Sequence, residues 1–124
     1  MKKRDYQLFI KDIVDAMDHI GEFVGDMALD ELEADEKTSS AVIRKFEVIG
    51  EAVKHIPNKV KEEHKEIQWK SMAGMRDRLI HAYFGIDYKL VWAAIKNEIP
   101  KLKPKLKKML SSLDKKKNSK SKRT

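Results

Sequence analysis

The segment spanning residues 75–85 holds the side chains best suited to chemistry in this chain. Arg76 is a permanent cation that can hold phosphate charge, and His81, five residues later, can exchange a proton near neutral pH. Asp77 adds a carboxylate and Tyr83 adds a phenol. A metal-free site for RNA cleavage needs little more, because an arginine can offset phosphate charge while a histidine moves the protons.

Helix geometry, if this segment is helical, divides the charged side chains between faces. Asp77 and His81 are four residues apart, so the carboxylate can accept a hydrogen bond from one imidazole nitrogen and leave the other free. Arg76 is offset from His81 by about 140°, because each helical residue turns the chain by about 100°. Either Arg76 reaches around the helix, or the helix distorts near its end, or a second subunit completes the site. We favour a site shared across a two-fold axis.

Tyr83 is open to two interpretations. It lies seven residues after Arg76, on nearly the same helix face, so its phenol can approach the guanidinium. It can equally be a core residue with its hydroxyl at the rim of the core. Because a lone Arg, His and Tyr on a helix are more often structural than catalytic, their spacing alone does not establish an active site.

The periodicity of apolar residues predicts the helices that must position this segment, and nothing in the sequence indicates a strand. Apolar residues recur every three or four positions over residues 5–27 and again over 42–56, and Pro57 ends the second helix. The acidic stretch 30–36 predicts a short helical turn. The Thr-Ser-Ser run at 38–40 can either cap or interrupt a helix.

The motif segment is predicted as a helix over about residues 69–83, after a short polar helix or turn over 57–66. Gly85 can close the motif helix in the left-handed conformation. The apolar face of this helix is formed by Met72, Met75 and Leu79.

Asp87 is a predicted N-cap for the next helix, and Pro100 fits the first turn of that helix's continuation. Apolar residues from Ile95 to Leu113 keep a spacing of three and four, which predicts either core or a contact between subunits. The sum is an all-α, up-and-down bundle of four to five helices without a sheet.

Charge is divided unevenly along the chain, whose net charge is +7. Residues 101–124 hold 11 Lys/Arg and one acid, whereas residues 1–100 hold 16 Lys/Arg and 19 acids. The basic balance therefore belongs to the C-terminal quarter. Residues 114–124 contain no apolar side chain, so we predict a domain over 1–113 followed by a basic, disordered tail over 114–124. Such a tail can attract nucleic acid, although it is more often only a solvated arm.

The composition also limits the function classes. The chain contains no Cys, which excludes disulfides, thiolate catalysis and Cys-ligated zinc and is compatible with a reducing compartment. No apolar run approaches the roughly 20 residues that cross a membrane, so a soluble cytoplasmic protein is expected. The histidines outside the motif have no ligand spacing, and neither a metal site nor a cofactor is predicted. They are His19, His55 and His64.

Two further charged residues can support the motif. Arg78, three residues before His81, can touch phosphate, although a surface salt bridge is the more ordinary role for it. Glu51 lies among apolar neighbours on the preceding long helix and can pair with Arg76 across helices, since a half-buried arginine needs a partner.

The pattern Arg76-x4-His81-x-Tyr83 resembles the signature of HEPN proteins, specifically the HepT-like toxins, with Asp77 as the small polar residue that follows the arginine. The likeness extends over about residues 4–113 and is therefore more specific than the motif alone. The matching segments are Ile49-Gly50-Glu51-Ala52, Trp69-Lys70, Phe84-Gly85-Ile86-Asp87, Leu90-Val91-Trp92 and Ile99-Pro100.

The resemblance implies a HEPN-like helical bundle, a homodimer with the motif at its cleft, and a toxic, metal-independent RNA endonuclease. It implies as partner a nucleotidyltransferase antitoxin that uses ATP to place AMP on Tyr83. Under this hypothesis Arg76 holds phosphate, His81 is the general acid or base, and Asp77 orients His81. Two alternatives are a non-catalytic HEPN nucleotide-binding or accessory subunit of a nucleotidyltransferase, and a helical interaction protein whose basic tail binds nucleic acid loosely.

Overall fold

The computed structural model describes residues 3–81 and 85–122, with side chains described for 6–80 and 85–113. Nearly all of this backbone is helical, which confirms the all-α class. In chain order the elements are α1 (Lys3–Val24), α2 (Leu29–Ala34), α3 (Glu36–Lys54), α4 (Asn58–Glu63), α5 (Trp69–Ala73), α6 (Met75–Leu79), β1 (Ile80–His81), β2 (Gly85–Ile86), α7 (Tyr88–Ala93), a π-helical stretch (Ala94–Glu98) and α8 (Ile99–Lys122).

The long helices α1, α3 and α8 form the centre of the bundle. The predicted apolar stripes of α1 and α3 face each other, and α8 packs on α1. The sequence left open whether the apolar residues from Ile95 to Leu113 form core or a contact between subunits. As far as Met109 they belong to the core, and Leu113 is partly buried against it. Residues that lose all measurable exposure include Ile10, Ile13, Ile20, Val42, Phe46, Ile49 and Leu106.

The start of α3 settles the role of the Thr-Ser-Ser run. Asp35 is the N-cap, and its carboxylate accepts hydrogen bonds from the Thr38 backbone N–H at 3.0 Å and the Thr38 hydroxyl at 2.8 Å. Ser39 is buried inside the helix and donates its hydroxyl proton to the Glu36 carbonyl at 3.1 Å. The run therefore strengthens the first turn of α3 and does not interrupt it.

The predicted single motif helix over 69–83 is wrong in its interior and at its end. The chain forms two short helices, α5 and α6, on either side of Gly74. Helix α6 stops at Leu79 because Ile80 is extended, with φ −122° and ψ 120°. Residues 80–81 then pair antiparallel with residues 85–86, the one ladder in the described chain and too small to change the fold class.

The helix after the motif begins as the sequence predicted. The Asp87 side chain accepts a hydrogen bond from the Leu90 N–H at 3.1 Å and caps α7. Five residues, Ala94–Glu98, then widen into a π-helix before α8 starts at Ile99. Pro100 lies in the first turn of α8, as the sequence predicted, and follows the π-helical stretch directly.

The backbone of α8 continues to Lys122 and so includes most of the segment assigned to a basic tail. Side chains after residue 113 lie outside the described ones. The division of the chain at residue 113 stays a prediction. None of the helices in the described part of the chain is both long and apolar enough to span a membrane.

Candidate active site

Helix α6 presents the charged motif residues to solvent. Its inner side is fixed by Met75 and Leu79, which are almost fully buried against the bundle core. The three residues between them, Arg76, Asp77 and Arg78, are all exposed as a result. Helix α6 is therefore held to the core by Met75 and Leu79 and exposes the guanidinium groups of Arg76 and Arg78. We call α6 the motif platform.

Arg76 has one weak partner. Its Nη1 lies 3.5 Å from Asp77 Oδ1, and the two side chains are 51% and 82% exposed. Ion pairs this exposed contribute little to stability, so an incoming phosphate can replace the carboxylate at low cost. Of the described carboxylates, Asp77 is the one within salt-bridge distance of Arg76. The guanidinium is thus available to bind an anion.

His81 lies in β1, so the one-turn helical geometry that predicted its bond to Asp77 is wrong. The same change removes the 140° offset between Arg76 and His81, because that offset assumed a continuous helix. The His81 side chain lies outside the described residues, and so does Tyr83 entirely. The orientation of His81 by Asp77 and the approach of Tyr83 to Arg76 stay predictions.

The hairpin that carries His81 is tied directly to the end of α6. Ile80 is paired with Ile86 and His81 with Gly85, and the Asp87 N–H donates to the Leu79 carbonyl at 2.8 Å. Gly85 has φ +77°, a left-handed conformation that side chains rarely adopt. The predicted conformation of Gly85 is confirmed, although the residue opens a strand instead of closing a helix. The backbone of His81 is held two residues beyond α6.

Arg78 holds three segments together. Its Nη2 donates to the Ser71 carbonyl at 3.1 Å, to the Ser71 hydroxyl at 3.1 Å and to Glu98 Oε1 at 3.3 Å. The Ser71 hydroxyl donates to the same Glu98 oxygen at 3.3 Å. The salt bridge considered for Arg78 is confirmed, and its partner Glu98 comes from the π-helical stretch.

Sequence reasoning missed Ser71 and Glu98 as neighbours of the motif. Glu98 is 20 residues from Arg78, and no periodic pattern relates positions on different helices. A π-helix turns fewer degrees per residue than an α-helix, so it also moves Glu98 away from the face that α-helical spacing predicts.

Glu51 does not pair with Arg76 in the single chain. Its carboxylate lies 3.6 Å from Lys54 Nζ, one turn along α3, and both side chains are well exposed. The neighbouring Gly50 has the clearer structural role, because an added Cβ would lie 3.3 Å from the Ala73 carbonyl oxygen. The family-like segment around Gly50 thus allows α3 to approach the end of α5, just before the motif helix.

The described residues form a helical bundle in which α6 exposes Arg76 and the backbone of His81 follows in β1. A family model described as "Ribonuclease HepT-like" matches residues 13–109. A "Probable ribonuclease HepT" of Thermococcus cleftensis is 47% identical over 86% of this chain and 97% of its own length. "Putative RNase MJ0125" of Methanocaldococcus jannaschii is 47% identical over 94% of this chain and 100% of its own length.

This chain belongs to the HepT-like ribonuclease family. The family expected from the motif and its flanking segments is confirmed, and so is the ribonuclease class of enzyme. Residues 76–83 lie inside the matched range. No solved structure was found to match the chain.

Proposed function

We propose that this protein is the toxin of a type VII-like toxin–antitoxin pair. It is a metal-independent endoribonuclease, which cleaves RNA at internal phosphodiester bonds. The observation that carries the proposal is the family match over residues 13–109, which contains Arg76, His81 and Tyr83. The availability of Arg76, whose weak partner is exposed, also supports it. RNA in the cytoplasm is the proposed substrate, since the family is one of ribonucleases.

The proposed reaction uses the RNA's own 2′-hydroxyl as the nucleophile. His81 removes the proton from that hydroxyl, or donates one to the leaving 5′-oxygen, as general base or acid. The new bond joins the 2′-oxygen to phosphorus, and the bond from phosphorus to the 5′-oxygen breaks. Arg76 offsets the charge that develops on the phosphate oxygens. The products are a 2′,3′-cyclic phosphate and a 5′-hydroxyl, and DNA is spared because it has no 2′-hydroxyl.

Asp77 is proposed to orient His81, and a homodimer is proposed to bring two motif segments into one cleft. Because His81 sits on a hairpin and Arg76 on a helix, the two residues belong to different elements. A second chain can then supply one of the pair across a two-fold axis. Arg78, held by Ser71 and Glu98, supports the position of α6 in this proposal.

Tyr83 is the proposed off switch. The antitoxin would be a nucleotidyltransferase that moves AMP from ATP onto the Tyr83 hydroxyl. The added nucleotide brings bulk and negative charge beside Arg76, and both oppose the entry of RNA phosphate.

The toxin proposal is tested by expressing the chain in bacteria, with and without the proposed antitoxin, the nucleotidyltransferase encoded by the adjacent gene. Wild type should arrest growth, and His81→Ala should not. Purified wild type should cut RNA in excess chelator and leave 2′,3′-cyclic ends. Co-expression should restore growth and add the mass of AMP to the peptide that contains Tyr83.

Each negative result has a distinct meaning. Full toxicity of folded His81→Ala would remove the catalytic role of His81. A wild-type chain that binds the nucleotidyltransferase but does not cut RNA would instead be a non-catalytic accessory subunit.

A further inference from the structure

An open cleft lies between α4 and α5, beside the platform that carries the motif. Its volume is about 950 Å³. Its floor includes Ile67 and Trp69, which are buried, and its rim carries the three lysines Lys61, Lys65 and Lys70. We call this feature the lysine cleft. One carboxylate, from Glu62, also lines it, so the lining has an excess of two positive charges.

The walls of the lysine cleft are held in place by cross-links between elements. The Trp69 indole donates its Nε1–H to the His64 carbonyl at 3.0 Å, which joins the end of α4 to α5. The Lys105 ammonium donates to the Glu66 carbonyl at 2.8 Å, which ties the connecting loop to α8. The backbone that carries the rim lysines is therefore preformed, and binding has to order only their side chains.

The three rim lysines are not neutralised. Among the described residues, no carboxylate lies within salt-bridge distance of Lys61, Lys65 or Lys70. Five other described cations are paired with carboxylates, namely Arg44, Lys54, Arg76, Arg78 and Lys103, and most of the remaining described lysines are unpaired as well. What distinguishes the three rim lysines is that they line one concave surface. Unpaired ammonium groups around one concave surface form an anion site, and a chain of phosphates fits three of them better than a single anion does.

The lysine cleft leads to the motif through α5. Ser71 lines the cleft, and its carbonyl and hydroxyl oxygens both accept hydrogen bonds from Arg78 on α6. A smaller hollow of about 210 Å³ adjoins it through the shared residues Gln68 and Ser71. This hollow is also lined by Lys101 and by Glu98, whose carboxylate is paired with Arg78. The lysine cleft is thus linked to α6, the helix that carries Arg76, through Ser71 and its hydrogen bonds with Arg78.

We propose that the lysine cleft binds the phosphate backbone of single-stranded RNA and guides the strand to the motif. The inference rests on the proposed ribonuclease function, which it deepens by adding a substrate path. The lysines contact phosphates and carry no base specificity. The cleft accordingly sets affinity and the direction of the strand, while the motif performs the reaction.

The test compares three variants of the full chain. The cleft variant replaces Lys61, Lys65 and Lys70 with Gln. A charge-preserving variant places Arg at the same three positions. A matched control removes three exposed lysines outside the cleft, Lys11, Lys37 and Lys108, by the same Lys→Gln change. Thermal unfolding verifies that each variant folds. If the triple Lys→Gln variant does not fold, the single variants Lys61→Gln, Lys65→Gln and Lys70→Gln take its place, and each should make the salt plot shallower by about 0.7.

Binding is measured by fluorescence anisotropy with a labelled, fully 2′-O-methylated RNA, which lacks the attacking hydroxyl and cannot be cut. The cleft variant should bind about tenfold or more weakly near 0.15 M salt, and its plot of log affinity against log salt should be shallower by about 2, since each phosphate contact in a single strand contributes about 0.7. The control and arginine variants should bind as wild type does.

The outcomes separate the two proposals. If wild type does not cut unmodified RNA but the cleft variant still loses affinity for the methylated RNA, the ribonuclease function fails and the lysine cleft stands. If wild type cuts RNA and the cleft variant binds like the control, the proposal for the lysine cleft is overturned and the ribonuclease function stands. Absence of binding by wild type also overturns it. Loss of antitoxin binding by the cleft variant, with unchanged RNA affinity, would make it a protein-docking surface and overturn the RNA path.

Discussion

Arg76 and Arg78 are two residues apart on one short helix, yet their surroundings assign them different roles. Arg76 has one exposed neighbour, Asp77, at 3.5 Å. Arg78 makes three contacts that join α5 and the π-helical stretch to α6. The first guanidinium is free to meet substrate, whereas the second is engaged in holding the platform.

Alanine substitutions should separate these two roles. Arg76→Ala should slow RNA cleavage by about 10² to 10³, the usual effect of removing one group that stabilises transition-state charge, and leave the melting temperature unchanged. Arg78→Ala should lower the unfolding free energy by about 1 kcal/mol through its lost hydrogen bonds and slow cleavage less. Cleavage rates and thermal unfolding of both variants provide the measurement. If Arg78→Ala melted like wild type but cut no RNA, the catalytic role would belong to Arg78 and not to Arg76.

The sequence selects candidate site residues by their chemistry but does not give their positions in space. The sequence selected Arg76, Asp77 and His81 as candidates from their chemistry, and their roles stay predictions, whereas the salt bridge of Arg78 is confirmed. It could not identify Glu98, because the π-helix that orients this side chain leaves no periodic signal. Helical spacing also placed Asp77 and His81 one helical turn apart; the extended backbone at Ile80 replaces that geometry, and the contact between the two side chains stays a prediction.

At the scale of elements, the close contact between α3 and α5 determines where the motif platform stands. A Cβ at Gly50 would lie 3.3 Å from the Ala73 carbonyl oxygen, so Gly50→Ala should force the helices apart and destabilise the fold by about 1 to 2 kcal/mol. Gly21→Ala is the matched control, since its Cβ would meet nothing within 4 Å; it should stabilise α1 by about 0.5 to 1 kcal/mol. Urea unfolding at one protein concentration measures both.

Opposite signs for the two glycine variants are the required result. If Gly50→Ala stabilised the protein as much as Gly21→Ala does, α3 would not need the close approach to α5. The glycine of the family-like segment would then have no packing role here.

A salt bridge between α1 and α8 should make stability depend on pH. The Lys103 ammonium donates to Asp18 at 2.7 Å, and this hydrogen bond holds the pKa of Asp18 below its usual value of 3.8. A carboxyl with a lowered folded-state pKa stabilises the fold above its unfolded pKa, and that stabilisation is lost as the pH falls through the folded pKa. Asp18→Asn should therefore lower the melting temperature at pH 7, and the difference should shrink below about pH 4.

Asp12→Asn provides the comparison on the same helix, because Asp12 is exposed and has no ion pair within the described residues. Its melting temperature should follow that of wild type at both pH values. A difference between wild type and Asp18→Asn that persisted unchanged at pH 3 would mean that the Asp18–Lys103 bond is not its source.

Element boundaries show where periodicity stops being informative. The spacing of Met72, Met75 and Leu79 predicted a buried face, and all three are buried although the helix is broken at Gly74. The spacing failed after Leu79, where the pairing of Ile80 with Ile86 replaces helical hydrogen bonds. That pairing depends on a residue beyond the motif, so a local apolar pattern cannot predict it.

At the scale of the whole molecule, basic charge occurs in two places with different properties. The lysine cleft is a fixed concave surface beside the motif. The C-terminal quarter holds 11 Lys/Arg and one acid, mostly outside the residues whose side chains are described. We expect the cleft to determine the direction of the RNA strand and the C-terminal charges to increase the rate of encounter, because long-range attraction steers association without fixing a geometry.

Removal of residues 114–124 distinguishes these two contributions. The truncated chain should associate with RNA more slowly, most clearly at low salt, and retain its cleavage rate once RNA is bound. Stopped-flow association and single-turnover cleavage measure the two steps separately. A truncation that abolished cleavage of bound RNA would place part of the active site in the C-terminal segment.

The proposal that two chains share one site has a quantitative consequence. Inactive Arg76→Ala and His81→Ala chains can be mixed and allowed to exchange subunits. If Arg76 and His81 of one site come from different chains, each mixed dimer has one intact site, so a one-to-one mixture should recover about a quarter of wild-type activity. The cleavage activity of the mixture is measured before and after subunit exchange, and native mass spectrometry follows the fraction of mixed dimers. Exchanged dimers without recovered activity would mean that the two residues do not act across chains, and the site would then have to be complete within a single chain.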